Sequence, residues 1–211
     1  MATTIRDYRP GDQAAAYFVC LKTGNQGDDG EPFYKEDPDA LGRIFVGPYL
    51  RFEPGLALML EDEQGVCGYA LAASDSRAFY DRYENEWRPG LCAQFAEPTG
   101  DPTSWTRAQQ IHYLYHHPDY YLPEPYEDFP AHLHIDLMAR VHRQGHGTQM
   151  MNQLIERLRV MGAPGVHLGM AASNDRAHRF YKTLGFADLC RQGVGDDETI
   201  YMGKRLIGCS S

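Results

Sequence analysis

The sequence predicts a mixed α/β fold, with helices packed on a mixed sheet. Three observations predict it. The run His132-Leu-His-Ile-Asp-Leu137 alternates polar and apolar residues with the period of two that a strand imposes. Directly after it, Gln144-Gly-His-Gly-Thr148 opens a stretch whose Met151, Leu154, Ile155, Leu158 and Met161 recur at helical spacing. A second strand, Val166 to Met170, and a second helical segment, Asn174 to Phe186, then repeat the strand-helix order.

The remaining elements agree in order. Thr4 to Arg9 reads as a strand, Pro10-Gly11 as a turn, and the segment to Leu21 as a helix that Asp12 is placed to cap. Gly55 to Ser74 reads as a hairpin, two apolar runs joined by the acidic turn Glu61 to Gly65. A connection of over fifty residues follows, about 75–131, with predicted helices at Ser76 to Trp87 and Ser104 to His116 and a proline-rich end from Pro118 to Pro130. Thr199 to Leu206 supplies a closing strand. At 211 residues and 43% hydrophobic, the chain is long enough for one sizeable core, and residues 1–211 are read as one domain carrying that insertion.

Chemistry enters at the glycine loop. Its two glycines let the backbone turn tightly and approach a ligand closely. The helix that it opens offers unpaired N–H groups and the positive end of its dipole, a combination that binds phosphate. The dinucleotide fingerprint fails at Met150, three after Gly147, and the lysine of a Walker loop is missing. The pattern resembles instead the acetyl-coenzyme A loop Q/R-x-x-G-x-G/A of the GNAT acetyltransferase superfamily, matched by Gln144 and Gly147 with Gln149 in place of the last Gly or Ala. Asn174 to Phe186, with Ala177, Phe180, Tyr181 and Gly185 in register, resembles the superfamily's second signature, N-x-x-A-x-x-F-Y-x-x-x-G-F. The segments VCLKTG, LEDEQGVCGYAL and HIDL, with the acidic connection, are similar to the acetyltransferase-like C-terminal domain of O-GlcNAcase and its free-standing bacterial relatives. Vertebrate members of that group carry a degenerate cofactor loop, whereas Gln144, Gly145 and Gly147 are kept here.

The resemblance implies the GNAT acyl-CoA N-acyltransferase fold, with a long helical insertion between strands 3 and 4, and acetyl-CoA as cofactor. It implies that Gln144, Gly145, His146, Gly147, Thr148 and Gln149 cradle the pyrophosphate. The strand end at Leu137, Met138 and Ala139 would pair with the pantetheine arm and offer a backbone N–H to the oxyanion. Asn174, Ala177, Phe180 and Tyr181 complete the implied cofactor site, Asn174 standing also where a plain helix N-cap would.

The activity so implied is N-acetylation of a primary amine by direct attack on the thioester. An amine of pKa roughly 10.4 is neutral about once in 2,500 molecules at pH 7, so the reaction needs a base. Asp136, His134 and His132 share the polar face of the strand that enters the loop, and Asp136 lies nearest the cofactor, with His134 second. The alternatives are hydrogen-bonded strand histidines and a structural carboxylate. Tyr181 matches the superfamily tyrosine that protonates the leaving thiolate; its alternative is core packing. His112, His116 and His117 lack a third ligand of matching geometry, so no metal is expected. A second functional class stays open, a catalytically inactive acetyltransferase-like domain that binds CoA or a partner protein.

Charge and cysteines bound the partners. A net charge of -9 argues against nucleic acid. Locally the sign reverses, with Arg140, Arg143, Arg157 and Arg159 against Glu156 around the loop, as a polyanionic cofactor requires. The insertion holds ten acids against four arginines and the tyrosines Tyr80, Tyr83, Tyr113, Tyr115, Tyr120, Tyr121 and Tyr126, which suits a cationic acceptor, a solvated face or a homodimer contact. No apolar run spans a membrane, and five scattered cysteines (Cys20, Cys67, Cys92, Cys190, Cys209) fit free thiols in the cytoplasm.

Overall fold

The computed structural model describes residues 3–120, 122–195 and 198–206, so Tyr121 and Cys209 lie outside it. Seven strands form one sheet: β1 (Thr4–Asp7), β2 (Ala57–Asp62), β3 (Gly65–Ala73), β4 (Ala131–Leu137), β5 (Gly165–Ala171), β6 (Ala187–Gln192) and β7 (Thr199–Arg205), in the spatial order β1-β2-β3-β4-β5-β7-β6. Every neighbouring pair is antiparallel except β4 and β5. Among the described residues eight α-helices accompany them: α1 (Gln13–Thr23), α2 (Ala40–Phe45), α3 (Gly47–Phe52), α4 (Ser76–Arg82), α5 (Arg88–Gln94), α6 (Arg107–His116), α7 (His146–Val160) and α8 (Asp175–Thr183). None is long and apolar enough to cross a membrane.

The feature that positions the site is a fork in the sheet. Between β4 and β5 only Ala131 pairs with Val166 and His132 with His167. Past His132 the two strands part. On its other side β4 stays paired with β3 along its length, from His132↔Ala73 to Leu137↔Gly68. An antiparallel ladder turns alternate residues toward its partner. Met138 donates to the Cys67 carbonyl, so Asp136 and His134 also face β3 through their backbone, and Ile135 and Leu137 turn theirs into the fork.

The alternation expected for this strand is present, but neither face is open to water. Leu137 faces α7, where a Cβ built on Gly147 would meet its Cδ1 at 3.3 Å. The polar face lies under α1 and α3, and beyond them under α4: His132 is 4% exposed, edge-on to Tyr49 and Phe79 and stacked on Tyr80.

Several elements differ from expectation for identifiable reasons. β6 is a half-exposed edge strand with a register shift between Asp188 and Cys190, so it carries no alternating core pattern. The short helices α2 and α3 have too few turns for periodicity to register. Asp12 does not cap α1 with its side chain; it accepts from the Arg9 N–H at 2.7 Å and pairs with Arg6. The expected helix from Ser76 ends at Arg82 and runs through a π-helical turn, Tyr83–Trp87, into α5. α6 starts at Arg107, where Thr106 and Gln109 form a capping box.

The insertion is a packed layer. Phe79, Tyr83, Leu91, Ile111 and Tyr115 are buried, at roughly 1.5–3 kcal/mol apiece for large apolar side chains, enough to hold these helices on the core. Five of its ten acids are engaged locally: Glu84 with Arg88, Glu86 with Arg82, Glu97 with His117, Glu127 with Arg77, and Asp128 with Arg205. Glu127 and Asp128 precede β4, at the end away from the cofactor loop. The segment's other five acids form no ion pair among the described residues. Its histidines also diverge, His112 to Asp37, His116 to the Phe95 carbonyl and His117 to Glu97.

Candidate active site

A groove of about 320 Å³ runs from the fork to the start of α7, within the size range of ligand pockets. The turn leaving β4 forms one end. Arg140 closes on Asp62 at 2.7 Å, and its guanidinium holds that carboxyl down to about 2. This pair fixes the turn to the β2–β3 hairpin. The chain then reaches Arg143 (φ 60) and Gly145 (φ 83), both left-handed, and enters α7.

No side chain caps α7, and its first turn leaves the N–H groups of His146, Gly147 and Thr148 without helical partners. Gln149 is the first to close, onto the Gly145 carbonyl at 3.1 Å. Arg143, Arg176, His142 and His146 line the same end. His142 donates from Nε2 to the Leu137 carbonyl at 2.7 Å and accepts from Arg176 at its Nδ1 at 3.3 Å, which ties that arginine to the strand end. The donor set fits a polyanionic cofactor. The expected charge reversal shrinks to fewer residues than the composition indicated, because Arg140, Arg157 and Arg159 are bound to Asp62, Asp7 and Glu156. Arg143 and Arg176 carry it.

The far wall comes from α8. Phe180 and Tyr181 line it beside Ala177 and Asn174. Asn174 caps the helix, accepting from the Ala177 N–H at 3.0 Å, while its amide donates to the Gln26 carbonyl at 3.2 Å. It is a cap and a clamp on the loop after α1, with both ends of its amide in use. That loop brings Gly27, and α1 brings Thr23, to the groove.

Asp136 closes the inner end. Its Oδ2 accepts from the Tyr69 hydroxyl at 2.5 Å, and burial lifts its carboxyl to about 6. Among the described residues it has no cationic partner. Tyr181, buried on the opposite wall, is pushed above the usual phenol value by burial and then by the Asp136 charge. The two face one another across the place where β4 and β5 separate.

Of the expected residues, Asp136, Leu137, Gly145, His146, Gly147, Thr148, Asn174, Ala177, Phe180 and Tyr181 come together here. Six do not line the groove. Met138 spends its N–H on Cys67, leaving Leu137 as the donor that faces the fork, and Ala139 sits in the exposed turn beyond. Gln144 bonds back to the Arg140 carbonyl, and Gln149 points to solvent. His134 lies farther along β4 against Phe45 and Tyr49, where burial lowers it to about 4. His132 is bound by Ser76. Sequence reasoning missed Thr23, Gly27, Ile135, Val141, His142 and Arg176. Only Arg176, inside the second signature, carried a local sign; Thr23 and Gly27 arrive by tertiary contact.

Comparison with known proteins agrees with this geometry. Residues 25–186 match the model of the acetyltransferase (GNAT) family. Protein O-GlcNAcase of Mus musculus is 29% identical over 205 residues, covering 96% of this chain and 22% of the mouse protein. The Rattus norvegicus protein gives 29% over 204 residues with the same shares, so the chain spans about a fifth of the length of these relatives. The solved structure of SsHAT superposes with a TM-score of 0.87 at 32% identity, covering 98% of this chain and 100% of that one. In fold alone it is similar to yncA of Salmonella typhimurium, described as a putative acetyltransferase with its cofactor acetyl-CoA (TM-score 0.57, 16% identity, 100% and 98% covered). A family match over most of the length, on a chain whose sheet forks beside an uncapped helix, settles its membership: the chain belongs to the GNAT acetyltransferase family.

Proposed function

We propose that the chain is an acetyl-CoA-dependent N-acetyltransferase acting on a primary amine that arrives as its ammonium form. The observation that carries this reading is the Asp136 carboxylate, half-buried and without a cation among the described residues, in the groove that the α7 cradle opens onto. An ionised carboxylate removed from water costs several kcal/mol unless it is paired. An ammonium supplied by the acceptor is the natural complement.

Asp136, raised to about 6, is ionised at pH 7 and far more basic than a surface carboxylate, so it can hold the ammonium and take its proton. His134 at about 4 is the weaker base and lies outside the groove. The cofactor, when bound, supplies an acyl group on a thioester. The N–H groups that open α7, with Arg143 and Arg176, hold its phosphates. The Leu137 N–H, pointing into the fork, is the donor placed for developing negative charge. Tyr181 keeps its proton through neutral pH because burial raises it, and so holds it ready at the opposite wall.

The buried thiols of Cys20 and Cys67 accord with a reducing, cytoplasmic setting. Calorimetry with acetyl-CoA, followed by thiol-release assays over polyamines, aminoglycosides, amino sugars and lysine peptides, tests the reading. Saturable binding with turnover of at least one amine supports it. Binding with no turnover on any of them assigns the chain to the inactive alternative.

A further inference from the structure

We infer that Tyr69, which does not line the groove, is the positioning residue that sets the orientation and basicity of Asp136; this rests on Asp136 being the base. Tyr69 and Asp136 are direct register partners on β3 and β4, so both Cα positions are fixed by the ladder and both side chains rise from the same face. Tyr69 is 1% exposed and its hydroxyl meets Asp136 Oδ2 at 2.5 Å, within the range of charge-assisted O–H···O bonds. One carboxylate oxygen is thereby committed. The other is left for the acceptor.

The choice of a phenol has a chemical consequence. A cationic partner would drag the carboxyl below the usual range and leave a feeble base, whereas burial with no donor would drive it toward permanent protonation. Burial, then the Asp136 charge, holds the Tyr69 phenol far above its ordinary value, so it donates at every working pH without surrendering its proton.

No other group described around Asp136 plays this part. α1 presents Cys20, pushed up to about 12 by burial, and Thr23, whose hydroxyl is within reach but spends its proton on the Val19 carbonyl at 2.9 Å. α8 presents Tyr181, likewise raised, and β4 itself presents His134, lowered to about 4. All are neutral at pH 7. Among the described residues, Tyr69 is the one committed donor.

The test follows the Asp136 carboxyl by ¹³C NMR in cofactor-free protein, where no turnover is needed. In Tyr69→Phe the titration midpoint is expected to rise by about one to two pH units, the size of one lost hydrogen bond to a charged group. Replacing Tyr69 by 3,5-difluorotyrosine, a stronger donor of the same shape, is expected to move the midpoint the opposite way, and this arm decides the matter if the phenylalanine variant folds poorly. An unmoved midpoint in a folded variant overturns the inference, because loss of packing alone changes the melting temperature and not the titration. If some amine is turned over, the acid limb of kcat/KM must move with the midpoint. If none is, the transferase reading fails while the titration still decides the role of Tyr69.

Discussion

His132 Nδ1 lies 2.6 Å from Ser76 Oγ, and this contact joins the start of β4 to the first residue of α4. The Ser76 hydroxyl also lies 2.7 Å from the Pro130 carbonyl. It has one proton for two neighbours, so when it donates to the carbonyl the imidazole donates from Nδ1. The other ring nitrogen, Nε2, is buried with no partner among the described residues. An imidazolium there would be an uncompensated charge among Tyr49, Phe79 and Tyr80. Burial accordingly holds His132 well below the usual imidazole value and His134 at about 4.

Acid sensitivity well above the carboxylate range follows from these histidines. Unfolded histidine titrates near 6.5 and the folded groups only at lower pH, so between those values the unfolded state binds more protons. The stability contribution is full above 6.5 and lost as pH falls toward about 4, on the order of 2 kcal/mol for His134 alone after allowing for its partial exposure. His132 and His167, also lowered by burial, add to it. Asp136 acts with the opposite sign in the same window, since its raised carboxyl gains protons on folding, yet one carboxylate opposes three histidines. Urea midpoints measured from pH 7.5 to 4.5 should fall steadily, and the fall should be shallower in His132→Gln. A flat profile would remove this account.

Asp136→Asn should exchange activity for stability. The ionised carboxylate is held above its ordinary value by burial, so the fold bears its cost at pH 8 and is relieved of it on protonation. The raised carboxyl corresponds to stability present at low pH and lost as pH rises through about 6, of order 2 kcal/mol. Asparagine keeps the shape and still accepts from Tyr69. The variant is expected to melt higher than the parent at pH 8 and to bind acetyl-CoA unchanged. Thiol release should drop by roughly 10²–10⁴, the range of a lost general base. A variant that keeps its rate would transfer the role to water or His134.

How much of this was legible in the sequence depends on how local each signal is. The cradle was, because Gly145 and the first turn of α7 are contiguous and their geometry follows from residue type. So was the alternation on β4, which placed Asp136 beside the loop. The environment of that face was not: α1, α3 and α4 cover it, so His132 and His134 became core histidines. Tyr69 gave no sign of its role, since its partner lies 67 positions away and only the β3–β4 register joins them. The insertion's acids read as a charged surface in composition, yet Glu84, Glu86, Glu97, Glu127 and Asp128 found basic partners after folding. Neutralising Glu127 and Asp128 is therefore expected to leave an acceptor's KM unchanged.

Tyr181→Phe separates acid from scaffold. The ring packs against Phe180 and Phe186, and phenylalanine preserves those contacts. Folding and acetyl-CoA affinity should therefore survive. What disappears is the proton held at the groove wall, and thiol release is expected to slow by about 10²-fold or more. Because burial keeps the phenol protonated past its ordinary value, the parent rate should show no alkaline fall from Tyr181 below about pH 10. Equal rates in the two proteins would return Tyr181 to a packing role.

The departure of Gln149 from the family's loop can be tested against the two glycines that keep to it. Gly145 sits at φ 83, where an added Cβ costs about 1–2 kcal/mol, and it sets the angle at which α7 presents its N–H groups. Gly147 faces Leu137 and Phe180, so a larger residue there presses on both walls of the groove. Gln149 instead projects to solvent from the first turn. Gly145→Ala and Gly147→Val are expected to weaken acetyl-CoA binding by calorimetry, roughly tenfold for each 1.4 kcal/mol of distortion. Gln149→Gly should leave the affinity within about twofold, while lowering thermal stability by up to about 1 kcal/mol through lost helix propensity. A large gain in affinity from Gln149→Gly would mean that the side chain obstructs the cradle in solution.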